Sequence, residues 1–133
     1  MRGLHFIIGV LVLVIFLFSG YYMVDFVPDL PAAERMTWRA NHIYLLMMAI
    51  GHLLLGGYYR DTRLDYTRAM QTVGSIFMFA GSLLAILAFF LEAGSTDLDG
   101  RIYSFAAALC IFSGTILHSL STLIDSHKAK VKS

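Results

Sequence analysis

Four long intervals without a charged residue constrain this chain more than any other feature. They run Gly3–Val24, Ala40–Tyr59, Ala69–Leu91 and Ile102–Ile124. Each holds about 20 residues or more, the length a helix needs to cross about 30 Å of hydrocarbon at about 1.5 Å per residue. A soluble domain has little use for such runs and carries about a quarter charged residues; here the charged share is 14% and the hydrophobic share 58%. Nothing alternates polar and apolar over short segments as the strands of a membrane barrel do. The expectation is an all-α integral membrane protein with four transmembrane helices, spanning 4–24, 38–59, 69–91 and 102–124, in one domain over 1–133 with a basic tail from 125. Short connections make consecutive helices antiparallel neighbours, so the expected arrangement is an up-down-up-down bundle.

The first interval has a rival reading as a signal peptide, with Arg2 before it and Ser19-Gly20 near its end. It is long for the apolar region of such a peptide, and we read it as a retained anchor. If the helices alternate, Arg2, Arg60, Arg63, Arg68, Lys128, Lys130 and Lys132 fall on one side. Arg35, Arg39 and Arg101 fall on the other, with most of the acidic residues. The cation-rich side is the cytoplasmic one, which places both termini inside, and a bacterial inner membrane is the expected location. Tyr21, Tyr22, Trp38 and Tyr103 at one interface and Tyr58, Tyr59 and Tyr66 at the other agree with this frame. The partners expected are the lipid bilayer and other membrane subunits or a second copy. A net charge of +1 gives no footing for nucleic acid. Cys110 is the single cysteine, so no disulfide forms within the chain and we read it as a small buried apolar group.

The loops carry local signals for helix ends. Pro31 followed by Ala-Ala-Glu34 suits a helix start, with proline at the first turn and an acid at the positive end of the dipole. Thr62-x-x-Asp65 is a variant capping box that starts helix three. Glu92-Ala-Gly94 closes helix three, and Ser95, Thr96 or Asp97 caps helix four.

In lipid, packing faces are marked by small and polar residues. Such faces recur at helical spacing: His5, Gly9, Val12, Phe16, Ser19, Met23 on helix one; Trp38, His42, Leu45, Ala49, His52, Gly56, Tyr59 on helix two; Met70, Gly74, Phe77, Gly81, Leu84, Ala88 on helix three, with Gln71, Ser75 and Ser82 beside them; and Ser104, Ala107, Ile111, Gly114, His118, Ser121, Asp125 on helix four. Gly56, Gly74, Gly81 and Gly114 are the expected points of close approach.

His52 and His118 lie at equal depth, roughly 10 Å below the inner surface. Facing one another across the bundle they could serve as axial ligands of a haem b, with Gly56, Gly74 and Gly114 making room and Arg60, Arg63 and Arg68 meeting propionates. The plainer reading makes them polar glue, bonded to Gln71, Ser75, Ser121 or Thr122 across helices. His42 and Arg39 sit near the outer interface, where a wet histidine and a snorkelling arginine need no special role. His5 is expected to be interfacial and solvated.

No carboxylate lies inside any interval, and HExxH, G-x-S-x-G and phosphate-binding glycine loops are missing. The string Glu34-Arg35-Met-Thr-Trp-Arg39-Ala40-Asn41-His42 resembles the second helix of the membrane-associated eicosanoid and glutathione enzymes, four-span proteins of similar length. The resemblance covers those residues alone. The glutamate expected further along that helix is missing, the string falls on the side read as outer, and membership is not claimed. The functional expectation is a non-enzymatic accessory or structural subunit, with no catalytic residue and no metal site. The first alternative is a haem-binding electron carrier through His52 and His118. The second is a membrane enzyme using Arg39, Asn41 and His42 on a lipid-like substrate.

Overall fold

The computed structural model describes residues 1–97 and 99–131. Of the cations counted above, Lys132 and the side chain of Lys130 lie outside the described residues. The chain is all helical: α1 (Arg2–Met23), a short 3-10 turn (Val27–Asp29), α2 (Ala32–Tyr58), α3 (Asp65–Leu91) and α4 (Ile102–Val131), with no strand among the described residues. All four long helices are long and apolar enough to cross a membrane.

Helix α2 begins directly after Pro31, whose extended backbone (ψ 149°) turns the chain into the helix, and Glu34 stands in its first turn. Helix α3 ends at Leu91 with Glu92 as its C-cap, at the Glu92-Ala-Gly94 stretch expected to close it, but the starts of α3 and α4 are not capped by the local residues that the sequence suggests. Thr62 does not cap α3; its hydroxyl donates to Gln71 Oε1 at 3.4 Å. The amides of Arg63 and Leu64 donate instead to Asp125 Oδ1, at 2.9 and 3.3 Å, from the far end of α4. Likewise Ser95, Thr96 and Asp97 do not cap α4. The amides of Tyr103 and Ser104 donate to the Glu92 carboxylate at 2.6 and 2.8 Å, from the end of α3. Each end of the α3–α4 pair is thus sealed by a carboxylate of one helix on amides at the start of the other, where the helix dipole favours negative charge. Glu92 is buried, so Glu92→Ala should destabilise the protein by about 2 kcal/mol, read as a shift in chemical unfolding in detergent micelles.

Consecutive helices meet end to start. Arg2 Nε at the beginning of α1 donates to Gly56 O at the end of α2, at 2.9 Å, satisfying a terminal carbonyl. Ser19 and His42 meet near the opposite ends of the same helices, at 3.0 Å. Trp38 of α2 packs edge-on to Phe89 of α3, with ring centroids 5.3 Å apart. Gly74 of α3 faces Gly114 of α4, and Gly81 faces Cys110 and Ala107.

On α1 and α4 the enclosed positions are those of the small and polar stripe: His5, Gly9, Val12, Ser19 and Met23 on α1, and Ser104, Ala107, Gly114, His118 and Ser121 on α4. Phe105, Leu109, Phe112, Ile116 and Leu120 of α4 are exposed. Two helices depart from the expected faces. On α2, Thr37, Asn41 and Met48 are enclosed, while Trp38 and His42 are only half-buried. On α3 the row beside the expected stripe is itself buried: Gln71, Ser75, Met78, Ser82, Ala85 and Phe89 join Gly74, Gly81 and Ala88, while Phe77 is exposed. The reason is that α3 serves two partners, the glycine row meeting α4 and the adjoining row meeting α1 and α2.

Candidate functional site

Close helix approach comes first and the polar contacts follow from it. A β-carbon on Gly9 would stand 2.9 Å from the backbone nitrogen of Leu53, and one on Gly56 would stand 2.9 Å from the Cα of Phe6. With hydrogen there instead, α1 lies against α2 and brings His5 to His52. Gly74 and Gly114 do the same for α3 and α4 and bring His118 to Ser75.

The result is a continuous polar chain through all four helices. His5 Nδ1 and His52 Nδ1 are 2.8 Å apart, and His5 Nε2 lies 2.9 Å from Ser75 Oγ. Ser75 Oγ in turn lies 3.2 Å from His118 Nε2. On the other side His52 Nε2 meets Ser82 Oγ at 2.8 Å and the Met78 carbonyl at 3.3 Å. His5, His52 and Ser75 have no exposed surface. The ring of Phe79 covers both histidines, at 4.8 Å from His5 and 5.3 Å from His52.

The direction of every hydrogen bond in this chain can be worked out. The Ser82 hydroxyl donates to the Met78 carbonyl at 3.1 Å, so its oxygen is left to accept. His52 Nε2, which faces that oxygen and a carbonyl, must carry a proton. A neutral His52 then accepts at Nδ1, so His5 donates from Nδ1 and accepts at Nε2. The Ser75 hydroxyl therefore donates to His5, and its oxygen accepts from His118 Nε2–H. His118 ends as the tautomer with a lone pair on Nδ1. Every link is satisfied with all three rings neutral, the inexpensive state for a dry interior.

His5 is thus not the solvated interfacial group expected from its place near Arg2. It is the centre of the network. Arg2 reaches back over the end of α2 to the Gly56 carbonyl, and His5, one turn further along α1, is enclosed beneath it. His52 and His118 do not face one another directly, because His5 and Ser75 lie between them. An axial bond from His52 to haem iron would have to break a bond at one of two occupied nitrogens, and His118 already spends Nε2 on Ser75. The residues at this level do not fit a haem held by that pair. Arg60, Arg63 and Arg68 are exposed at the nearby end. Gln71 stands apart from the histidines, donating from Nε2 to Arg60 O at 2.9 Å and so closing the α2–α3 turn.

No family model, curated protein or solved structure matches this chain. The site is therefore read from its own chemistry.

The candidates Arg39, Asn41 and His42 are not brought together. Arg39 is exposed. His42 turns to α1, bonding Ser19 and stacking on Phe16 at 4.1 Å between ring centroids. Asn41 is buried against α4, its Oδ1 accepting from Arg101 Nη2 at 3.1 Å and from Ser104 Oγ at 2.9 Å. Among the described residues no group of three metal-ligating side chains converges on one point. Sequence reasoning set His5 and Asp125 on packing faces, Ser82 beside one and Glu92 at the close of helix three, but did not find the bonds they make. For His5 the usable signal was its place on the Gly9–Val12–Ser19 stripe. The carboxylate caps leave no local signal, because their amides lie 11 or more residues away.

Proposed function

We propose that this chain is a small four-span protein of a bacterial inner membrane, arranged up-down-up-down with both termini in the cytoplasm, and that it works as a non-enzymatic accessory subunit. The observation that carries the reading is the histidine chain, whose links from Ser82 through His52, His5 and Ser75 to His118 are all made inside the bundle. The imidazoles of the bundle interior are bonded to one another and to serines as neutral donors and acceptors. They hold four helices in register rather than presenting an acid, base or nucleophile to a substrate. The excess of arginine and lysine at the 60–68 loop and the tail supports the orientation. Support for a partner comes from the outer half of α1, where Leu17, Phe18 and Tyr21 are exposed and border apolar grooves of about 290 and 470 Å³. Such grooves suit the knobs of another transmembrane helix.

Crosslinking in intact membranes tests this reading. A bismaleimide or photo-reactive group placed at Phe18 should give a discrete species heavier than the 14.8 kDa chain, and the same group at Phe112 on α4 should give much less. A chain that stays monomeric from every position overturns the assignment.

A further inference from the structure

The histidine chain has one open end. Nε2 of His118 is spent on Ser75, and its Cδ2 lies against Gly74, so the opposite edge of the ring, with Nδ1, is turned away from α3. Among the described residues no hydrogen-bond partner meets that nitrogen. It is not sealed either, since the sealed side-chain atoms without partners are Asn41 Nδ2 and Arg101 Nε. His118 forms part of the wall of a cleft of about 410 Å³ between the end of α2 and α4, together with Leu55, Tyr59, Gln71, Thr122 and Leu123. Tyr59 stands edge-on to His118, with ring centroids 5.8 Å apart. The rim is open on the apolar surface, where Tyr58 and Leu123 are exposed.

These features define an occupant. The direction of the chain leaves a lone pair on His118 Nδ1, so the occupant must donate a hydrogen bond there. Gln71 spends one N–H on the Arg60 carbonyl and one lone pair on the Thr62 hydroxyl, which hold it at the α2–α3 turn. His118 lies seven residues from Asp125, about 10 Å below the inner end of the bundle. The one cation of the lining, Arg60, belongs to the loop that follows α2, and at the depth of His118 a neutral head enters hydrocarbon at far lower cost than a charged phosphate. An apolar cavity of about 150 Å³ already admits a benzene ring, and this cleft holds a substituted ring with the start of a tail. The open rim lets that tail run on among acyl chains.

We propose that this cleft binds the hydroquinone head of a membrane quinol, one hydroxyl donating to His118 Nδ1 and the ring lying beside Tyr59. The assignment concerns binding alone and does not rest on the accessory-subunit reading. It carries a redox preference, because the oxidised quinone has carbonyls in place of hydroxyls and would set an acceptor against an acceptor.

Calorimetric titration of the full chain in nanodiscs, under anaerobic reducing conditions for the quinol, tests it with ubiquinone-1 and ubiquinol-1 as probes. The quinol should bind roughly tenfold more tightly than the quinone, the loss expected for one hydrogen bond. His118→Leu should erase the preference. His118 also bonds Ser75, so Thr122→Phe, which fills the cleft and gives up only a hydroxyl bond to the His118 backbone carbonyl while leaving the imidazole bonds in place, should abolish binding of both forms in a protein that unfolds like the parent. Equal affinity for the two forms, no binding of either, or a preference that survives in both variants would overturn the proposal.

Discussion

His5→Ala should destabilise this protein more than replacement of any other histidine, by about 4 kcal/mol. The figure combines two costs. His52 Nδ1 and the Ser75 hydroxyl would lose their partner in the sealed interior, at about 1–3 kcal/mol for each buried polar group left unpaired. The missing imidazole would also leave a cavity beneath Phe79, and large-to-small core substitutions cost about 2–5 kcal/mol. Partial relaxation keeps the total below the sum. His42→Ala, by contrast, removes one bond to a serine that also donates to the Phe16 carbonyl at 2.8 Å, and should cost about 1 kcal/mol. Unfolding of purified variants in mixed micelles, followed by far-ultraviolet circular dichroism, gives both values. Coupling can be measured as well: the His5→Ala/His52→Ala double variant should cost about 1–3 kcal/mol less than the two singles added, because the second deletion removes a partner already orphaned. Strict additivity, or a His5→Ala protein as stable as the parent, would show that the two rings do not share a bond.

The sequence exposes some parts of this arrangement and conceals others for physical reasons. Helices α1 and α4 each present one stripe, so small and polar residues at helical spacing mark the buried face: His5-Gly9-Val12 on one and Ala107-Gly114-His118 on the other. Helix α3 has two working faces. A search for one stripe finds the glycine row that meets α4 and relegates Gln71, Ser75 and Ser82 to the flank, although Ser75 and Ser82 are the links that tie α3 to α1 and α2. Helix ends fail for a different reason. Glu92 and Asp125 cap amides across a turn or across the pair, with carboxylate and amide at least 11 residues apart, so no local window links the two. The equal depth of His52 and His118 was legible by counting residues. What lies between them was not, because it depends on the register of α1, which Arg2 sets by reaching Gly56.

Gly114→Leu should abolish stable folding, and even Gly114→Ala should be costly. A β-carbon on Gly114 would lie 2.8 Å from the Gly74 carbonyl oxygen and 2.8 Å from Met78 Cγ. The methionine can change rotamer, but the carbonyl belongs to the backbone of α3 and moves only if the two helices separate. Separation weakens the His118–Ser75 bond, already 3.2 Å long, which among the described residues is the hydrogen bond that ties α4 to the rest of the histidine chain. Overpacking alone costs about 1–3 kcal/mol, so Gly114→Ala should lose about 3 kcal/mol once that bond is included. Gly81 makes a useful comparison. Its β-carbon would meet the terminal methyl of Met48 at 2.6 Å and Cys110 Cβ at 3.0 Å, whereas the nearest carbonyl, of Ala107, lies at an ordinary 3.5 Å. The Met48 methyl can swing aside and Cys110 has to yield only a few tenths of an ångström, so Gly81→Ala should cost about half as much as Gly114→Ala, while Gly81→Leu should still disrupt folding. Gly57, with nothing within 4 Å, is the control and should tolerate alanine. Thermal denaturation in detergent, with gel filtration to detect aggregated material, ranks the four variants. The order Gly57→Ala, Gly81→Ala, Gly114→Ala, Gly114→Leu from mildest to most severe follows from which contacts are flexible side chain and which are backbone. An equal effect at Gly114 and Gly57 would mean that α3 and α4 do not meet backbone to backbone at this level.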